Sequence, residues 1–272
     1  MSPYTVLGAS GFIGARLVAY LRRRGLDCLT PDRDDPLPAR PGHIIYCIGL
    51  TADFRSRPWD TLEAHVCRLV ELLRGGQFES LLYLSSTRVY QRLPADQPAR
   101  EDMALYTDPR DPSDLYNLSK LAGEAACLAH PNPQVRVVRL SNVYGVGCQN
   151  FLGTVLEQAL TRGRVELHSA LGSAKDYIAV EDVVEGLYAI ASRGRQRLYN
   201  LAAGHNTSHT TLARALERLL DCQVTVAADA PPLVFPVIAI DRLRREFDLQ
   251  PRRLEAVLPE LVQQYRRQSN RP

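Results

Sequence analysis

The chain has 272 residues, 45% of them apolar, enough to bury a substantial core in one main domain with a smaller appended lobe. Its 33 basic and 30 acidic residues leave a formal charge of +3, a near balance that argues against a nucleic-acid partner. No apolar run is long enough to span a membrane or placed to act as a signal peptide, so a cytoplasmic protein is expected. The six cysteines, Cys28, Cys47, Cys67, Cys127, Cys148 and Cys222, form no C-x-x-C pair and mostly fall in apolar patterns; reduced, buried thiols are expected, without disulfides or metal.

The first element is the apolar strand Tyr4 to Leu7, which runs into three glycines spaced three apart, Gly8, Gly11 and Gly14. A glycine at the strand end takes the sharp turn, one at the helix start lets a pyrophosphate approach the backbone, and one inside lets helix and strand pack closely. A tight strand-to-helix turn without a ligand is the alternative. What favours a dinucleotide pocket is the context: residues 12–24 have helical periodicity, with Ile13, Leu17, Val18 and Leu21 on one face, and residues 27–30 form a second strand leading to Asp32. A carboxylate there accepts hydrogen bonds from ribose hydroxyls and favours NAD, whereas the neighbouring Arg33 is suited to a 2′-phosphate and keeps NADP open.

Further strands are expected at 43–48, 81–85, 135–140 and 198–201, with helices at 61–74, 115–129 and 181–193. Strands of nearly continuous apolar residues alternating with helices define a doubly wound parallel α/β (Rossmann) sheet. Residues 1–145 and about 175–203 are assigned to it, and 146–174 with 204–272 to a small, discontinuous C-terminal substrate lobe. Within that lobe, helices are expected at 151–161 and 210–220, a strand at 165–168 and a proline-containing stretch at 224–236. The Pro-, Asp- and Arg-rich segment 94–112 reads as a long loop beside the site.

Tyr116 and Lys120 sit four apart on a helix, so they share a face, and an ammonium beside a phenol favours the phenolate. Alone, this spacing is equally that of a tyrosine packed over a lysine stem. The hydroxyl cluster Ser85-Ser86-Thr87, at the carboxyl end of a buried strand, lies on the same sheet edge as the glycine turn and gives the pair a partner. There Ser86 can bond the substrate oxygen whose proton Tyr116 moves.

These segments together resemble the extended short-chain dehydrogenase/reductases of the NAD-dependent epimerase/dehydratase family, which act mainly on nucleotide-linked sugars. The resemblance rests on Gly8-Ala9-Ser10-Gly11-Phe12-Ile13-Gly14, Leu84-Ser85-Ser86-Thr87-Arg88-Val89-Tyr90, Tyr116-Asn117-Leu118-Ser119-Lys120, Arg139-Leu140-Ser141-Asn142-Val143-Tyr144-Gly145, Asp176 to Val183 and Tyr199-Asn200-Leu201. It implies Ser86, Tyr116 and Lys120 as the catalytic set, with Tyr116 and Lys120 also at the cofactor. It further implies cofactor contacts at Gly8, Ser10, Gly11, Phe12, Ile13, Gly14, Asp32 and Arg33, substrate contacts at Ser86, Thr87, Asn142 and Lys175, and no metal. A homodimer through the helices of residues 62–73 and 116–128 is implied as well.

The implied chemistry is hydride transfer at a carbinol or keto carbon, with Tyr116 as acid and base. An epimerase and a ketoreductase share these residues, and a non-catalytic dinucleotide-binding sensor is the reading from another class. Thr87-Arg88 stand where sugar-nucleotide dehydratases carry Asp-Glu, which argues against elimination, and Lys175 stands where arginine is usual and cannot repeat its bidentate contacts. His65 reads as a satisfied helix histidine and Tyr90 as packing or pocket wall. His205 and His209 read as a loop and helix cap in preference to metal ligands, and Arg242, Arg244 and Arg245 as a solvated face in preference to a phosphate contact.

Overall fold

Strands apolar on both faces require helices on both faces, and the chain supplies them. The computed structural model describes residues 2–269. Its first half contains β1 (Tyr4–Leu7), α1 (Phe12–Arg23), β2 (Cys28–Leu29), β3 (His43–Tyr46), α2 (Pro58–Leu62), α3 (Arg68–Gly75), β4 (Ser80–Ser86) and α4 (Asp114–Ala129). Then follow β5 (Val135–Leu140), β6 (Asn142–Tyr144), α5 (Phe151–Arg162), β7 (Arg164–Leu167), β8 (Ala174–Ala179) and α6 (Val180–Arg193). The last part holds β9 (Leu198–Leu201), β10 (Asn206–Ser208), α7 (His209–Leu220), β11 (Gln223–Val226), α8 (Asp241–Phe247) and α9 (Leu254–Ser269).

The six strands expected from the sequence form one parallel sheet, ordered β2-β1-β3-β4-β5-β9. Alternate residues face opposite sides. Ile45, Leu82 and Val138 pack with Leu17 and Leu21 of α1 and Val183 and Leu187 of α6. Ile44, Leu81 and Val137 pack on the other side with Leu69 and Leu72 of α3 and Cys127 of α4. Leu17 and Leu21 are wholly buried, and each such side chain contributes about 2 kcal/mol. Because β2 and β3 flank β1 on opposite sides, the strand order reverses at β1, and a crevice opens at the carboxyl ends of β1 and β3.

A second core joins α5, α7 and α9 with Tyr144, Tyr177 and Ala179, beside a sheet ordered β10-β8-β6 and the pair β11-β7. Ile238, Ile240, Leu243 and Phe247, inside the range assigned to the lobe, instead join the core under the main sheet, so α8 packs on β9. No helix among the described residues is long and apolar enough to cross a membrane.

Three expectations need correction. The helix expected at 61–74 begins at Pro58 and contains a π-helical turn, Glu63–Cys67, between α2 and α3. The segment 94–112 does not line the cleft: Ala99 bridges Ile238, and the Glu101 carboxylate accepts the Asn200 N–H at 3.0 Å, which holds the segment down on β9. The cysteines are free, but Cys67 is exposed on the π turn, and Cys28 and Cys47 are only partly buried.

Candidate active site

The glycine turn shapes one end of a cleft of about 540 Å³. Gly8 has φ +80°, a conformation that side chains disfavour, and a Cβ on Gly14 would lie 2.1 Å from the Gly8 carbonyl oxygen. Helix α1 therefore starts in contact with the end of β1. Its N-terminus has no side-chain cap and no acidic residue in the first turn, and residues 11–14 line the cleft. Unpaired N–H groups and a favourable helix dipole facing a cleft suit an anionic diphosphate. Phe12 and Ile13 reach the lining; Gly8 and the exposed Ser10 shape the turn behind it. Asp32 and Arg33 lie in the turn after β2, outside the lining, where the Asp32 N–H donates to the Asp35 carboxylate at 3.0 Å and the Arg33 carbonyl accepts from Arg68.

At the middle of the cleft, β4 and α4 bring Ser86, Tyr116 and Lys120 together. Ser86 ends β4 and accepts the Arg88 N–H at 3.2 Å, opening the short 3₁₀ turn Thr87–Tyr90. The start of α4 is pinned by the buried Asp114, which accepts from Arg92 at 2.7 Å, Asn117 at 2.8 Å and the Asp108 N–H at 2.8 Å. One turn in, Tyr116 and Lys120 are both buried. Burial raises the Tyr116 pKa, while hydrogen bonds with the Ser86 and Thr51 hydroxyls and then the Arg88 charge oppose the rise. Lys120 does not lower it here. Its ammonium donates to the Leu84 carbonyl at 2.9 Å and lies 5.8 Å from the Tyr116 ring centre, and burial brings its own pKa down to about 7. The expected cation-to-phenol effect is thus outweighed by desolvation of both groups.

His65 lies on the π turn, fully buried, its ring edge-on to Tyr116 with centroids 5.4 Å apart. Its Nε2 accepts the Leu50 N–H at 3.1 Å, and Nδ1 meets Ser119 Oγ at 2.8 Å. Ser119 in turn donates to the Tyr116 carbonyl at 2.8 Å, so Nδ1 carries the proton of a neutral imidazole. Burial, then the Lys120 charge, pulls its pKa down to about 2. It is the satisfied histidine expected, and it also ties the loop after β3 to α4.

A buried ion pair lies below the set. Arg139 of β5 binds Glu124 of α4 through Nε at 2.9 Å and Nη2 at 2.6 Å, and Ser85 donates to the same carboxylate. Arg139 also donates to Tyr90 Oη at 2.7 Å, and Tyr90 donates to Asn200 at 2.8 Å. Tyr90 is therefore core and not pocket wall. The network locks α4 to β4, β5 and β9.

At the far end Thr87, Asn142 and Lys175 line the cleft. Asn142 donates to the Asp176 carbonyl at 2.8 Å, and the Lys175 ammonium lies between the rings of Phe151 and Phe235, 5.5 and 5.9 Å from their centres. His209 meets Ser169 at 3.1 Å and stacks on Phe151, whereas His205 faces Glu255 at 3.5 Å, so the two imidazoles serve different contacts. Among the described residues no group of three His, Cys, Asp or Glu is arranged to hold a metal. Arg242 donates to the Leu198 carbonyl at 2.8 Å, while Arg244 and Arg245 are exposed. Two site residues escaped the sequence reading as functional. Thr51 follows β3, whose carboxyl end must face the crevice, and Arg88 lies two residues after Ser86.

A doubly wound sheet with a helix N-terminus opening beside a Ser/Tyr/Lys set defines a dinucleotide-type oxidoreductase fold. The family model described as "NAD dependent epimerase/dehydratase family" matches residues 4–202, and the chain belongs to that family. It is 28% identical over 256 residues to GDP-6-deoxy-D-mannose reductase of Pseudomonas aeruginosa, covering 82% of each chain. It is 36% identical over 228 residues to dTDP-4-dehydrorhamnose reductase of Mycobacterium tuberculosis, covering 78% of this chain and 73% of that one. Among solved structures, MoeE5 in complex with UDP-glucose and NAD matches with a TM-score of 0.82 at 22% identity, over 99% of this chain and 100% of that one. These relatives are nucleotide-sugar enzymes, and the last likeness shows the fold.

Proposed function

We propose that the chain catalyses hydride transfer at a carbinol or keto carbon of a nucleotide-linked sugar, in the direction of ketone reduction. The observation that carries this reading is Tyr116, buried in the cleft whose lining it shares with Ser86 and Thr51, with Lys120 on the same helix face. When bound, the nicotinamide supplies or accepts the hydride. The uncapped start of α1 holds the diphosphate, and Asp32 and Arg33, in the turn after β2 beyond the cleft lining, are assigned to the adenosine, for which the carboxylate favours NAD and the guanidinium accommodates NADP. Ser86 holds the substrate oxygen and Tyr116 delivers its proton as the carbon is reduced, with Lys120 on the same helix face.

Reduction is favoured because two of the curated relatives are reductases, while a third, a dTDP-glucose 4,6-dehydratase of Streptomyces griseus, is of the kind that carries Asp-Glu where Thr87-Arg88 stand here. A sensor that only bound a dinucleotide would need no proton-transfer set. The test is mass spectrometry of the small molecules retained by purified protein, followed by NADH and NADPH oxidation with 4-keto sugars linked to UDP, GDP and dTDP. Oxidation of a reduced dinucleotide by one of them supports the reading. Retained NAD with interconversion of sugar epimers and no net oxidation would replace the reductase with an epimerase, and absence of dinucleotide binding would overturn both.

The exposed Leu128 of α4 supports the homodimer expected through the helices of residues 62–73 and 116–128. A monomer by light scattering at micromolar concentration would exclude it.

A further inference from the structure

The cleft holds two cations that the proton-transfer set does not use, Arg88 and Lys175. Neither takes part in an ion pair within 4 Å among the described residues. The acids near Arg88 are committed elsewhere: Asp114 binds Arg92 at 2.7 Å, and Asp111 binds the same arginine at 2.8 Å. Asp176, next to Lys175 in the chain, accepts the N–H groups of Ala203 and His205 at 2.9 and 3.0 Å.

The guanidinium of Arg88 is under-used for its position. Its Nε is buried without a hydrogen-bond partner, and its one side-chain bond is a long one, 3.4 Å from Nη2 to the Ser113 carbonyl. The group lies over the rings of Phe54 and Tyr116, 5.3 and 5.9 Å from their centres. Burial and then the Arg55 charge lower the Arg88 pKa against the opposing pull of Tyr116, Asp114 and Asp111, and burial and then the Arg88 charge lower that of Lys175. A half-buried guanidinium with free donors, among like charges and apolar faces, is an incomplete site whose missing member is an anion. The planar fork matches a carboxylate, and its contact with Tyr116 puts that carboxylate beside the reacting carbon.

We propose that Arg88, assisted by Lys175, binds a carboxylate carried on the sugar ring itself, so that the preferred substrates are nucleotide-linked uronic acids or their keto derivatives. This rests on the nucleotide-sugar reading for the identity of the ligand, but the anion subsite itself does not.

Calorimetric titration of NAD-loaded protein with UDP-glucuronic acid and UDP-glucose, and with free D-glucuronate and D-glucose at constant ionic strength, tests it. Wild type, Arg88→Met, Arg88→Lys and Lys175→Met are compared, with thermal melts to establish folding. The wild type is expected to bind the acid about tenfold more tightly than the neutral sugar in the UDP pair. Arg88→Met abolishes that preference, and Arg88→Lys retains part of it as a point charge. If neither UDP sugar binds wild type, the UDP-sugar form of the functional reading fails, and the free pair decides the subsite: preference for glucuronate, lost in Arg88→Met, sustains it, and no preference overturns it. A preference unchanged in Arg88→Met, or one lost only in Lys175→Met, also overturns the role assigned to Arg88.

Discussion

The two ends of the cleft are built from different material. At the glycine-turn end the decisive contacts are backbone to backbone: the Gly8 turn, a Gly14 that admits no Cβ against the Gly8 carbonyl, and an uncapped helix start. At the Ser/Tyr/Lys end they are side chains from separated elements, with Ser86 on β4, Tyr116 and Lys120 on α4, Arg88 on the turn between them and Lys175 on β8. The first end is set by geometry within a dozen residues. The second exists only when α4 is held in place, and its platform is the Glu124–Arg139 pair with His65 across the π turn. It follows that the two ends should fail independently and for different reasons.

The largest expected loss of stability comes from breaking the platform. Arg139→Met leaves the Glu124 carboxylate buried and uncompensated, which should cost about 3–5 kcal/mol in urea unfolding. A loss below about 1 kcal/mol would show that the pair is not what holds α4. Next is Gly14→Ala, whose Cβ would meet backbone at 2.1 Å; overpacking of this kind costs roughly 1–3 kcal/mol. It should weaken dinucleotide binding by at least tenfold while leaving the Tyr116 surroundings, read by tyrosine NMR, unchanged. An unweakened nucleotide affinity would mean that the turn does not hold the diphosphate.

The smallest effect is a pH dependence. The folded-state pKa of His65 is near 2, well below the unfolded value of about 6.5, so the unfolded chain binds the extra proton between them. Stability from neutral His65 is present above about pH 6.5 and falls by at most about 1.4 kcal/mol per pH unit below it. His65→Asn removes this titration. The stability gap between wild type and variant should therefore narrow by about 1–2 kcal/mol between pH 7 and pH 5; a constant gap would contradict a buried, neutral imidazole.

The same contrast accounts for what was legible in the sequence. Gly8, Gly11 and Gly14, the six sheet strands and the Tyr116–Lys120 spacing are local patterns, and each stands in the structure where periodicity predicts. The π turn at His65 left no mark because its residues keep an ordinary helical composition, and the extra residue is absorbed by contacts with Leu50 and Ser119, distant in sequence. Strands β6 and β10 have three residues each, too few to show alternation, and their pairing is with β8. Thr51 was missed since nothing local marks a hydroxyl that joins Tyr116 in the cleft lining from a distant part of the chain. The expected lowering of the phenol pKa by Lys120 followed from spacing alone; burial, which spacing does not report, outweighs it.

The most direct test of the account is to remove the phenol oxygen and read both ends at once. In Tyr116→Phe, the dissociation constant for the dinucleotide, measured by calorimetry, should stay within about threefold of wild type. Turnover of a nucleotide-linked keto sugar should fall by roughly 10²–10⁴-fold, the scale of a lost general acid. Unchanged turnover, or a dinucleotide affinity lost in step with it, would contradict a proton-transfer group built separately from the cofactor's holder.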